Sequence, residues 1–169
     1  MKKYGICIWR FNPIHIGHER LINKMLDNHG YQKSLLIIWS SNTKNSLRHF
    51  FKYTERKKFI LDLFPDLKIV GLPDYENDYE WLIALKDIIK ISFSNISNVT
   101  FYGWSSNDIY YLDNGFDVEI VDRFETGFKK ISSTKVRDLL IKNQKLDSFV
   151  NQKIIKPIED LFWKKWKKF

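Results

Sequence analysis

The chain has 169 residues, a formal net charge of +8, 44% apolar and 16% aromatic residues, and one cysteine. This apolar content excludes a disordered or low-complexity chain, and the lone Cys7 excludes an intramolecular disulfide and fits a reduced, cytoplasmic setting. Half of the net charge lies in residues 151–169, where six lysines oppose Glu159 and Asp160, so the body is only mildly basic and demands no nucleic-acid partner.

The apolar run after Met1 to Gly5 ends at Arg10 and is too short for a signal-peptide core or a membrane span. Ile6 to Trp9 reads instead as a buried strand. Arg10 to Ile14 forms a turn, and Leu21, Ile22, Met25 and Leu26 give the following segment a helical spacing that opens near Gly17. A strand, a tight loop and a helix N-terminus make an anion site, because first-turn N–H groups lack intrahelical acceptors at the positive end of the helix dipole. His15 and His18, three residues apart, can both face a bound phosphate there. Arg10 adds a planar fork, and Gly17 allows close backbone approach. A metal is the rival reading, but His-x-x-His without a neighbouring cysteine or carboxylate pair lacks the other ligands of a zinc site.

Gly30 suits the end of that helix, and Ser34 to Trp39 reads as a second buried strand followed by the polar loop Ser40 to Ser46. A helix from Thr54 to Phe64 is stopped by Pro65. Leu67 to Leu72 is a third strand, and Asp78 to Ile91 a helix with Trp81, Leu82, Leu85, Ile88 and Ile89 on one stripe. Val99 to Tyr102 and Val118 to Val121 are the fourth and fifth strands, with a short helix at Ile109 to Leu112 between them. Ser133 to Lys142 and Ile154 to Trp166 are the last helices. Strands alternating with helices imply an α/β chain with a doubly wound, Rossmann-like parallel sheet of five strands. Its ligand crevice should lie at the carboxyl ends of the strands. The organisation expected is one domain over 1–169, with 151–169 a basic C-terminal helix packed on it.

Ile131-Ser132-Ser133-Thr134-Lys135-Val136-Arg137 gives a second cradle of hydroxyls, helix-start amides and an arginine. Two such motifs, about 115 residues apart on strand-loop-helix contexts, seldom coincide by accident.

Arg10-Phe11-Asn12-Pro13-Ile14-His15-Ile16-Gly17-His18 resembles the first signature of the nucleotidyltransferase superfamily, and Ile131 to Arg137 resembles its second, Ile-Ser-x-Thr-x-x-Arg. The Arg-Phe pair is similar to that of the archaeal-type nicotinamide mononucleotide adenylyltransferases. So are the polar segment from Ser40 to Glu55-Arg56 and the Leu72-Pro73-Asp74-Tyr75 loop followed by Trp81. The resemblance implies transfer of AMP from ATP to nicotinamide mononucleotide, giving NAD and pyrophosphate. It implies His15, His18 and Arg137 as catalytic residues. Arg10, Phe11, Gly17, Ser132, Ser133 and Thr134 would bind ATP, and Asn42, Arg56 and Trp81 the acceptor, with Trp81 either stacking on the nicotinamide ring or packing in the core. Magnesium would arrive with ATP rather than in a protein metal site. The chain departs from that family at Trp9 and Trp39, where the family has glycines, and Trp104 stands near a third position of small residues. These rings bear on substrate identity more than on reaction type.

Other enzyme readings are phosphopantetheine adenylyltransferase, a cytidylyltransferase of alcohol phosphates, and the class I aminoacyl-tRNA synthetases. The last would need a connective insertion, for which the spacing between the motifs leaves no room, and a tRNA-binding domain after them. A non-catalytic nucleotide-binding module working through the lysine-aromatic tail is the alternative of another class. Against it, Ile154, Ile155, Ile158, Leu161 and Phe162 give that tail a packing stripe, favouring a docked helix over a membrane or nucleic-acid surface. The sequence leaves homo-oligomerisation open.

Overall fold

The strand-helix alternation resolves, in a computed structural model, into a sheet of strands β1 (Tyr4–Trp9), β2 (Ser34–Trp39), β3 (Lys68–Leu72), β4 (Val99–Gly103) and β5 (Asp117–Ile120). The structure describes residues 3–43, 46–94, 97–105, 116–121 and 131–168. The short helix expected at Ile109 to Leu112 lies outside them. The strand order is β3-β2-β1-β4-β5, and every pairing is parallel. This is the expected doubly wound, Rossmann-like sheet, and its order reverses between β1 and β4.

Why β1 and β2 carry unbroken apolar runs is plain from their neighbours. Both strands are paired on both edges and covered on both faces, so neither parity of side chain meets water. Cys7, Leu36, Ile38 and Tyr102 point into one core with α1 (Ile16–His29), α2 (Tyr53–Leu63), α4 (Ser133–Ile141) and α5 (Gln152–Trp166). Ile6, Ile8, Leu35, Ile37 and Phe101 point into the other, covered by Trp81, Leu85, Ile89 and Phe93 of α3 (Asp78–Phe93). Burial pushes the Cys7 thiol pKa far up, which leaves it a small core hydrophobe.

Boundaries shift slightly from the sequence reading. His15 caps α1, which starts at Ile16, and a 3₁₀ turn at Tyr31–Lys33 follows Gly30 at φ 71°. α5 lies on α2, with Phe162 against Phe50 at 4.7 Å between ring centroids. Its Lys165 is largely buried: at 14% side-chain exposure it reaches Glu55 Oε2 at 2.8 Å and donates to the Phe50 carbonyl. Among the described residues, no helix is long and apolar enough to cross a membrane.

Candidate active site

At the carboxyl ends of β1, β2 and β4 the chain leaves an open cleft of about 490 Å³, within the size range of small-ligand sites. Its described lining includes Arg10, Arg48, Arg137, His15 and His18, and no carboxylate. Such a lining is complementary to an anion of several charges.

The two histidines form a reciprocal cap at the start of α1. His15 Nδ1 accepts from the His18 amide at 3.4 Å, and His18 Nδ1 accepts from the His15 amide at 3.3 Å. Because each Nδ1 is an acceptor, Nε2–H is the donor nitrogen of each neutral ring. The rings stack 3.7 Å apart. Phe11 lies against His18 at 4.7 Å, and the indole of Trp104 at 5.1 Å. Trp104 also packs on Trp9 at 4.6 Å. The imidazoles are therefore held by rings from the ends of β1 and β4, on the two sides of the point where strand order reverses.

The second motif is fastened directly onto the first. Ser133 Oγ donates to the Pro13 carbonyl at 2.9 Å, and Arg137 Nη1 to the Asn12 carbonyl at 2.6 Å. Arg137 Nη2 donates to Thr134 Oγ1, and Ser132 Oγ accepts from the Lys135 amide as the cap of α4. The hydroxyls thus hold local structure. The remaining first-turn amides, those of Ser133 and Thr134, stand at the positive end of α4 on the cleft wall. Burial draws the Arg137 guanidinium pKa down; Asp138 opposes that shift and Arg48 adds to it.

Residues 6–139 match the cytidylyltransferase-like family. The chain belongs to that family, and so to the nucleotidyltransferase superfamily. A phosphopantetheine adenylyltransferase from Fusobacterium nucleatum is 25% identical over 163 residues, covering 90% of this chain and 92% of that protein. A bifunctional NMN adenylyltransferase/ADP ribose pyrophosphatase from Francisella tularensis, solved with AMP and a manganese ion, superposes with a TM-score of 0.76 at 23% identity. The match covers 99% of this chain and 50% of that one. The NadR protein, solved with NAD and AMP-PNP, gives a TM-score of 0.65 at 21% identity, covering 91% of this chain and 46% of that one. The chain thus spans about half the length of these solved proteins, and the likeness to them is one of fold.

Several residues of this nucleotidyltransferase sit differently from the sequence reading. Arg56, expected on the acceptor, is 1% exposed. Its Nη1 donates to the carbonyls of Arg10 at 2.7 Å and Trp39 at 2.9 Å, and its Nη2 to that of Ser40 at 2.8 Å. It ties the loop after β1 to the loop after β2, which explains an arginine at a helix start without any role for the helix dipole. Burial pulls its pKa down to about 10 against the opposing charge of Asp74, so it remains a cation at neutral pH. Phe11, expected on ATP, is 1% exposed and packs in the core under His18, and it also lines the floor of the cleft.

Trp81 is 8% exposed and belongs to the second core, its ring tilted on Trp39 at 5.4 Å. One part of it still lines a small pocket of about 70 Å³ with Trp39, Asp74 and Tyr75. Asn42 is exposed and anchors the rim of that pocket: its Oδ1 accepts from the Asp74 amide at 2.8 Å. Gly17, expected on ATP, is closely packed. A Cβ there would meet His15 ring atoms and Ile131 Cγ2, each at 3.1 Å.

Gly17→Ala is therefore expected to show a split outcome. Overpacking costs about 1–3 kcal/mol, and alanine in a helix recovers up to about 1 kcal/mol relative to glycine, so the melting temperature should fall only modestly. Displacement of the His15 ring should lower kcat at least tenfold. An unchanged kcat would show that the ring does not depend on this contact.

Sequence reasoning missed Arg48 and Asn12. Arg48 gave no periodic signal and was one of several basic residues in the segment before α2, yet it lines the cleft. Asn12 lay within the first motif. Its side chain pairs with the Phe51 backbone, Nδ2 donating at 3.1 Å and Oδ1 accepting at 3.0 Å, and so clamps the loop that carries Arg48.

Proposed function

We propose that this nucleotidyltransferase transfers AMP from ATP to a phosphate-bearing acceptor, with nicotinamide mononucleotide as the acceptor and NAD and pyrophosphate as products. The observation that carries it is the cleft with three arginines and two stacked histidines and no carboxylate in its described lining. An acceptor phosphate oxygen attacks the α-phosphorus, and the bond to the bridging oxygen of pyrophosphate breaks. The nucleophile is already anionic, so orientation and neutralisation of developing charge can supply the rate without a general base.

His15 and His18 present Nε2–H donors to the α-phosphate and bridge. Arg10 and Arg137 carry phosphate charge, and the amides at the start of α4 receive the pyrophosphate portion. Asn42 and Trp81 border the acceptor side through the Asp74 pocket. The described cleft residues offer no carboxylate set for a divalent ion, so magnesium would be held by the nucleotide phosphates and water. When bound it would neutralise phosphate charge. The whole chain acts as one nucleotidyltransferase domain, with α5 as a docked helix.

The deciding experiment is pyrophosphate release from ATP or CTP with a panel of acceptors. Release with ATP and nicotinamide mononucleotide is the expected result. Phosphopantetheine belongs in the panel as the second reading, favoured by the Fusobacterium relative and by the burial of the Trp81 ring. Turnover with phosphopantetheine alone would replace the nicotinamide assignment.

Arg137→Ala should raise the KM for ATP about tenfold or more while changing the acceptor KM little, since a charge-assisted bond to phosphate is worth about 1.5–3 kcal/mol. Equal rises for both substrates would place Arg137 at a shared phosphate or in the packing of α4.

A further inference from the structure

Arg10 does not rest on the cleft wall by chance packing. Its guanidinium carbon lies 4.2 Å from the centre of the Trp39 ring, and its Nε donates to Ser40 Oγ at 3.1 Å. The same hydroxyl donates to Asp74 Oδ1 at 2.8 Å. One hydroxyl can accept and donate at once, so the three side chains form a directed chain from a base in the phosphate cleft to a carboxylate in the smaller pocket beside it.

The middle of that chain and its carboxylate end are both fixed. Ser40 is fully buried at φ 53°, and its carbonyl accepts from Arg56 and from Thr43 Oγ1. Asp74 is held through its amide by Asn42. Trp39 lines both cavities and so is the wall between them.

We infer that Asp74 and Ser40 are positioning residues that set the Arg10 fork for phosphate, and that they couple the pocket bearing Asp74 to the nucleotide cleft. The inference rests on the reading of Arg10 as a phosphate-binding residue. Two physical effects of Asp74 have opposite signs, and this makes the inference decidable. As a bare charge close to the cleft, Asp74 repels an anion, so its removal should tighten ATP. As the anchor of Arg10, it holds the fork in place, so its removal should loosen ATP. Asparagine separates the two, because its side-chain oxygen still accepts from Ser40 while the charge is gone.

The test is calorimetric titration of the full chain with ATP alone, before any acceptor is added. Arg10→Ala should weaken ATP at least tenfold. Asp74→Ala and Ser40→Ala should each weaken it about fivefold, and the double variant should be no worse than either, since both act through one residue. In the Arg10→Ala background, Asp74→Ala should add nothing. Asp74→Asn should bind ATP as well as the wild type or better.

The relay is overturned if Asp74→Ala binds ATP equally or more tightly, if its loss persists without Arg10, or if Asp74→Asn is as weak as Asp74→Ala. Should Asp74→Ala fail to fold, Ser40→Ala, alone and with Arg10→Ala, makes the same comparison. Unaltered ATP affinity in Arg10→Ala would remove the phosphate role of Arg10 and the relay with it. The expected affinities without turnover on any acceptor would sink the transfer reading and leave the relay intact.

Discussion

Replacing His18 with alanine should lower kcat by two to three orders of magnitude while ATP affinity changes only a few-fold. His18 lines the cleft in the first turn of α1, its Nδ1 committed to the His15 amide, so Nε2–H is its donor nitrogen. A donor aimed at charge that grows in the transition state contributes about 3–4 kcal/mol to the rate and much less to ground-state binding. The same substitution removes half of the reciprocal cap, which costs about 1 kcal/mol of stability. Thermal unfolding should therefore show a small loss beside a large kinetic one. His18→Gln gives a second measure, since it offers an N–H donor without the ring. A fall in kcat of less than tenfold in His18→Ala would remove His18 from the chemistry and leave it as a cap.

The parts of this molecule legible in its sequence are those where a local pattern has one physical solution. Ile6 to Ile8 and Leu35 to Ile38 read as buried strands, and the structure places them at the centre of the sheet. His15, Gly17 and His18 stand where β1 gives way to α1, Ser132 to Arg137 stand at the start of α4, and residues of both motifs line one cleft. What escaped was decided by contacts between segments distant in sequence. Asn12 meets Phe51, Ser40 meets Asp74, and Lys165 meets Glu55, and no spacing rule encodes these pairings. The sequence also cannot distinguish a ring in a core from a ring on a cleft. Phe11 and Trp81 have the composition of ligand-stacking residues, and in the fold each is less than a tenth exposed. Trp9 and Trp39, by contrast, stand where the resemblance led to glycines. They enclose the histidines and support Arg10, so the added bulk becomes a wall of the site.

Arg56 provides the sharpest test between a binding and an organising role. Three carbonyls, those of Arg10, Trp39 and Ser40, converge on its guanidinium. Arg56→Ala removes their donors in a place water reaches poorly. Breaking such a buried charged network costs about 3–5 kcal/mol, and at about 2–4 °C per kcal/mol for a chain of this size the melting temperature should drop by roughly 10 °C or more. Urea unfolding should show a lower midpoint with an unchanged slope, since the surface exposed on unfolding stays the same. Lysine can reach one or two of the carbonyls but lacks the planar fork, so Arg56→Lys should recover only part of the loss. ATP affinity should fall together with stability, because the carbonyls that Arg56 holds belong to the residues carrying and anchoring the Arg10 fork. If Arg56→Ala instead keeps the wild-type melting temperature and ATP affinity but loses affinity for the acceptor alone, the buried bonds are incidental. The expectation that Arg56 binds the acceptor would then be restored.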